Sequence, residues 1–155
     1  MSVVHAPSSE TIESVVLQGA LERLCEQYHL VAIYVFGSRA PEIAARVRGE
    51  RAQAEHPASD VDIGVLPARE LGLSLDDKIH LATELEDLFG VDKVDLAVLP
   101  EAKPYLALDI VRGELLCVTA ADEEANYQLY VLRRAADLAP HERERRRMIL
   151  AGEAI

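Results

Sequence analysis

Two aspartates two residues apart, Asp60 and Asp62, lie in Ser59-Asp60-Val61-Asp62-Ile63-Gly64-Val65-Leu66, and they constrain this chain more than any other feature. Side chains alternate along a strand, so both carboxylates share one face while Val61, Ile63 and Val65 share the other. The second face can enter a core; the first cannot, because adjacent like charges repel and cost stability. A cation between them removes that cost. Oxygen donors of this hardness select Mg²⁺ or a similar ion, which commonly takes one or two carboxylates plus substrate phosphates. Gly64 continues the acidic face without a side chain, and is expected to leave room for a ligand.

Two further stretches fit the same chemistry. Val31 to Phe36 is an unbroken apolar run with β-branched and aromatic residues, the composition of a strand buried on both faces. It ends in Gly37-Ser38, a tight exit whose backbone N–H groups and hydroxyl can face a phosphate. Downstream, Lys93-Val94-Asp95-Leu96-Ala97-Val98-Leu99 reads as another strand, with Val94, Leu96 and Val98 inward and Asp95 on the non-core side. A lone Asp-x-Asp is commonly a turn or a solvated strand edge. With a third aspartate on a separate strand, the set can hold two metals about 4 Å apart, an arrangement that stabilises in-line displacement at phosphorus.

These motifs resemble the minimal nucleotidyltransferases (MNT domains) of the DNA polymerase beta superfamily. The resemblance runs from about Leu30 to Val118, and Ser59 to Val65 is its most specific part. It implies an α+β fold: a mixed four-stranded sheet with helices mainly on one face. It also implies that Gly37 and Ser38, with Arg39 and Ser59 beside them, hold the nucleotide phosphates. Asp60 and Asp62 would bind Mg²⁺, and Asp95 would complete the metal site or assist the nucleophile. The connection from Arg39 to Ser59 is longer than the family's usual one, with the surplus around Pro41 to Arg48. Arg39, Arg46, Arg48 and Arg51 lie near the phosphate segment; apart from Arg39, they are expected to pair with neighbouring glutamates.

The remainder of the chain reads as support. At 155 residues the expectation is one domain, with a core over about 9–119 and a C-terminal helix and basic tail over 121–155. Ser9 to His29 is expected to be a helix capped by Ser9, with a stripe of Ile12, Val16, Ala20, Leu24 and Tyr28. Leu73 to Phe89 is a second, with a Ser74/Asp77 capping arrangement and a stripe of Leu75, Ile79, Ala82, Leu85 and Phe89. It links the two aspartate strands as a helical crossover would. A short helix over Ala102 to Arg112 precedes an edge strand at Leu115 to Val118. A last helix, from Ala121, is expected to end at Ala139 because Pro140 interrupts it. His56 is expected on the surface, and His80, a lone histidine on a helix, is not expected to be catalytic.

A net charge of −11 argues against a protein that tracks a nucleic-acid backbone. Cys25 and Cys117 show neither metal spacing nor a redox motif and are expected to be buried thiols in a reducing cytoplasm. Met1 to Glu10 lacks a basic segment followed by an apolar one, so no signal peptide is expected. The resemblance carries one step further. Small single-domain MNT proteins are paired with HEPN toxins, and the MNT protein adenylylates a toxin tyrosine using ATP and so acts as its antitoxin. For this chain it implies a HEPN-family partner; the C-terminal helix and tail, in the third of the chain that holds Tyr105, Tyr127 and Tyr130, are the expected docking region. Two alternatives stand beside it: a binding protein that masks a toxin without catalysis, and a nucleotidyltransferase of the aminoglycoside-modifying kind.

Overall fold

The computed structural model describes residues 6–152. The first five and last three residues, including part of the stretch considered for a signal peptide, lie outside the described residues. In chain order the elements are α1 (Ser9–Tyr28), β1 (Leu30–Phe36), α2 (Ala40–Arg48), β2 (Val61–Pro67), α3 (Leu75–Phe89), β3 (Val94–Val98), a 3₁₀ turn (Leu99–Glu101), α4 (Pro104–Val111), β4 (Glu114–Val118) and α5 (Ala121–Leu150).

The sheet has four strands in the order β3-β2-β1-β4. β1 runs antiparallel to both β2 and β4, while β2 and β3 are parallel and joined through α3. The fold is therefore the expected α+β architecture with a mixed sheet. β1 is central and buried on both faces, which accounts for its unbroken apolar run. One face carries Ile33, Val35, Val61, Ile63, Val65 and Val94 under α1, α2 and α3. The other carries Ala32, Tyr34 and Leu66 under Ala107 and Ile110 of α4 and Val131 of α5.

The helix stripes differ from expectation for a geometric reason. In α1 the buried positions are Ser14, Leu17, Leu21, Leu24, Cys25 and Tyr28, whereas Ile12 and Val16 are exposed. Each four-residue step advances about 400° around the axis, so a pure i, i+4 series drifts roughly 40° per step and leaves the core face. Alternating steps of three and four stay on it. In α3 the expected stripe already mixes steps of three and four, yet Leu75 and Ile79, in the first turns of the helix, are exposed while Leu81, Leu85 and Phe89 are buried. The N-cap of α1 is Ser8, whose hydroxyl accepts from the Thr11 N–H, rather than Ser9. The Ser74/Asp77 capping box forms as expected.

α5 is the larger correction, because it continues through Pro140 to Leu150. Proline removes one N–H, but Ala136, four residues back, is exposed, so water can take its carbonyl. Strong helix formers surround the break, and Arg145 and Arg146 pair with Glu142 and Arg147 with Glu144 one turn apart. The first half is anchored by a buried Glu124, which accepts from the Tyr34 hydroxyl and from the Gln128 amide. Past Ala135, no described residue of α5 is buried. Among the described residues no helix is long and apolar enough to cross a membrane.

Candidate active site

The three aspartates are brought together by strand register. Asp62 pairs with Asp95 across the parallel β2–β3 ladder and with Phe36 across the antiparallel β1–β2 ladder. Asp60 precedes Asp62 by two residues and so lies on the same side. All three thus occupy one end of the face opposite α1–α3. Asp62 is half-buried, and its carboxyl is held above the usual range, first by burial and then by the charges of Asp95 and Asp60. The like-charge cost inferred from the spacing is therefore present in the folded chain.

Lys93 partly offsets it. Its ammonium lies 3.5 Å from Asp60 Oδ2 and 3.5 Å from Asp95 Oδ1. Those charges, Asp95 foremost, raise the Lys93 pKa. The lysine was legible only as a polar position beside Asp95; its reach across to Asp60 required the parallel register. Among the described residues no three His, Cys, Asp or Glu side chains form a ready-made metal cluster. The donor chemistry still fits a hard divalent ion: carboxylate oxygens alone, converging on a half-buried aspartate whose charge is uncompensated.

Gly37 stands directly over this group. Its φ is +77°, in the left-handed region that favours glycine, and a Cβ built there would collide with the Asp62 carboxylate. The Ala40 N–H donates to the Gly37 carbonyl at 3.2 Å, closing the turn through Ser38 and Arg39 into the start of α2. Gly37 and Ser38 are exposed. A cleft of about 560 Å³ opens beside the turn, lined by Phe36, Gly37, Ala40, Pro41, Asp62, Asp109, Arg112, Gly113 and Glu114. Arg112, the cation in that lining, was missed in the sequence, where Gly113 marked only a helix end. A larger groove of about 870 Å³ lies at the other end of β2, bordered by Leu66, Pro67, Tyr127 and Tyr130, away from the aspartates.

Arg39 and Ser59 are placed differently from each other and from Ser38. Arg39 is buried; its guanidinium donates to both carboxylate oxygens of Glu42 at 2.9 Å and to the Ser59 carbonyl at 3.3 Å. The buried fork thus ties the first turn of α2 to the residue preceding Asp60. The Ser59 N–H donates to the His56 carbonyl at 3.0 Å, and its side chain is exposed. Of the arginines expected to pair within the connection, Arg48 reaches Glu50 and also Glu114 of β4, whereas Arg46 pairs with Glu13 and Arg51 with Glu10, both on α1. Arg39, set apart from that pairing, is itself paired with Glu42. His56 and His80 are exposed. Gly64 leaves no room for a ligand, contrary to expectation: Ile110 of α4 fills the space where a Cβ would point.

Comparison with known proteins places this geometry. The family described as Polymerase beta, Nucleotidyltransferase matches residues 20–122, more than half of the chain. The chain belongs to that nucleotidyltransferase family. Solved structures share the fold. The crystal structure of a mutant of the toxin–antitoxin MntA–HpeT matches with a TM-score of 0.64 at 21% identity, over 86% of this chain and 98% of that one. A toxin–antitoxin with AMP-PNP matches with a TM-score of 0.63 at 21% identity, over 86% and 98%. A tri-AMPylated Shewanella oneidensis HEPN toxin in complex with MNT antitoxin matches with a TM-score of 0.62 at 20% identity, over 88% and 98%. A sequence search of curated proteins finds no match.

Proposed function

We propose that this chain is one nucleotidyltransferase domain that transfers AMP from ATP to a hydroxyl, a tyrosine, of a partner HEPN toxin, acting as its antitoxin in the cytoplasm. The observation that carries the reading is the register of Asp62 with Asp95, with Asp60 alongside and the Gly37 turn directly above. The family supplies the reaction class. The similar structures include one with AMP-PNP and one with an AMPylated HEPN toxin, which supports the nucleotide and the acceptor class.

The chemistry follows from the placement. The exposed Gly37–Ser38 turn receives the triphosphate through backbone N–H groups and the Ser38 hydroxyl. Asp60, Asp62 and Asp95 would hold Mg²⁺, which neutralises phosphate charge and stabilises in-line displacement when bound. The acceptor oxygen bonds to the α-phosphorus as the bond to the β-phosphate oxygen breaks, and pyrophosphate leaves. Asp95, the more exposed partner of the ladder pair, assists the incoming hydroxyl. Arg39 fixes the loop that delivers Asp60. Most of the rate enhancement arises from positioning and charge stabilisation. The partner docks on the C-terminal helix and tail, where Tyr130, Leu132, Leu138, Ile149 and Leu150 are exposed and the arginines counter an otherwise acidic chain.

The test is intact mass of the adjacent gene's product after incubation with this chain, ATP and Mg²⁺. Gain of one or more AMP units, lost with Asp60→Asn, is the expected result. A stable complex without mass gain assigns masking instead. No gain and no complex refutes the toxin reading and turns the search to small-molecule acceptors.

A further inference from the structure

The two cysteines of this chain are 92 positions apart in sequence, yet their sulfurs lie 3.6 Å from each other. Both are free thiols. Cys25 sits on the core side of α1, and Cys117 sits on β4, the edge strand. A disulfide needs about 2.05 Å between sulfurs, so the pair must approach by roughly 1.5 Å. The strand offers that movement. Cys117 pairs with Ile33 while the next pair is Leu115 with Tyr34, so the ladder shifts register beside Cys117. An edge strand with an irregular ladder has slack that a central strand lacks.

We propose that Cys25 and Cys117 form a reversible dithiol–disulfide pair that is closed by peroxide. The two thiols have distinct roles. Cys117 is partly exposed, and its sulfur accepts the Cys25 S–H. That bond draws the Cys117 pKa down and, together with burial, holds the Cys25 pKa up. Cys117, the sulfur that peroxide can reach from solvent, is the attacking thiolate and the buried Cys25 is the resolving thiol. In the first step the Cys117 sulfur bonds to a peroxide oxygen, the O–O bond breaks, hydroxide leaves and a sulfenic acid remains. In the second the Cys25 sulfur attacks the Cys117 sulfur, the S–O bond breaks, and the Cys25 proton leaves with the hydroxyl as water. Overall, two thiols lose two electrons and two protons, and one peroxide becomes two waters. The product ties α1 to β4, the strand whose first residue, Glu114, lines the cleft beside Asp62.

The test uses the reduced full-length chain, treated with hydrogen peroxide, denatured and alkylated with N-ethylmaleimide. The expected mass is that of the chain less two hydrogens with no alkyl adduct, with a Cys25–Cys117 cross-linked peptide in a non-reducing digest. Dithiothreitol should restore two adducts. Cys25→Ser should leave a Cys117 sulfenic acid that dimedone traps, and Cys117→Ser should leave Cys25 unoxidised. Two adducts after peroxide, oxygen additions on Cys117 with Cys25 still alkylated, or a cross-link between two chains would each overturn the pairing, and the first measurement needs no variant to fold.

Discussion

Replacing Gly37 with alanine puts a methyl group into the space occupied by the Asp62 carboxylate, on a backbone held at φ +77°. Two costs add. A non-glycine residue in the left-handed region costs about 1–2 kcal/mol. The colliding atom is the terminal oxygen of the Asp62 side chain, and turning it off its rotamer costs about 0.5–1.5 kcal/mol. The sum is about 1.5–3.5 kcal/mol, and a mid-range loss of about 2.5 kcal/mol lowers the melting midpoint of a chain this size by roughly 5–10 °C. The two parts separate in a double-mutant cycle with Asp62→Ala. Removing the carboxylate relieves the collision but leaves the backbone strain, so Gly37→Ala should cost only about 1–2 kcal/mol in that background. Urea unfolding of the four proteins measures the coupling, expected at about 0.5–1.5 kcal/mol. In the otherwise native chain, AMP transfer should fall as well, because Asp62 must move. Equal losses in both backgrounds would refute the steric link between turn and carboxylate. No loss in either would refute the backbone argument too.

Asp62→Asn should abolish transfer yet stabilise the fold near neutral pH. The folded pKa of Asp62 is raised, so its ionisation destabilises the folded state; the penalty is absent below the unfolded value near 3.8 and complete above the folded one. Thermal melts at acid and neutral pH should therefore show a gain only at the higher pH, and a loss there would contradict the assignment. Gly64→Ala should destabilise by about 1–3 kcal/mol through contact with Ile110 Cγ2, and should cost less in an Ile110→Ala background, which removes that atom, in chemical unfolding. Ending the chain at Leu138 removes no buried residue of α5, so the melting midpoint should hold within about 2 °C, corresponding to a surface-level change of about 0.5 kcal/mol. The same truncation should weaken capture of the partner in a pull-down; unchanged capture would place the docking surface elsewhere.

The sequence determined the parts of this protein whose signals are local. A two-residue period put Val61, Ile63 and Val65 on the core face and Asp62 off it, and the folded chain keeps that division, with Asp60 just ahead of the first residue of β2. The apolar run of β1, the Gly37 turn and the Ser74/Asp77 cap were equally readable, because each depends on neighbours within a few residues. Other features were decided only by contacts distant in sequence. The parallel β2–β3 register sets Asp95 against Asp62 and lets Lys93 reach Asp60. The packing of α4 fills the gap at Gly64 with Ile110, and the α1–β4 contact brings Cys25 to Cys117. Helix phase fell between the two, because α1 and α3 carry apolar residues around much of their circumference and only packing selects the buried stripe. Pro140 was expected to end α5 at Ala139, but the exposed Ala136 one turn back and the glutamate–arginine pairs beyond it let the helix continue to Leu150. Spacing along one chain fixes which side chains share a face; it carries no information on which face another segment will cover, and that is where tertiary structure completed the site.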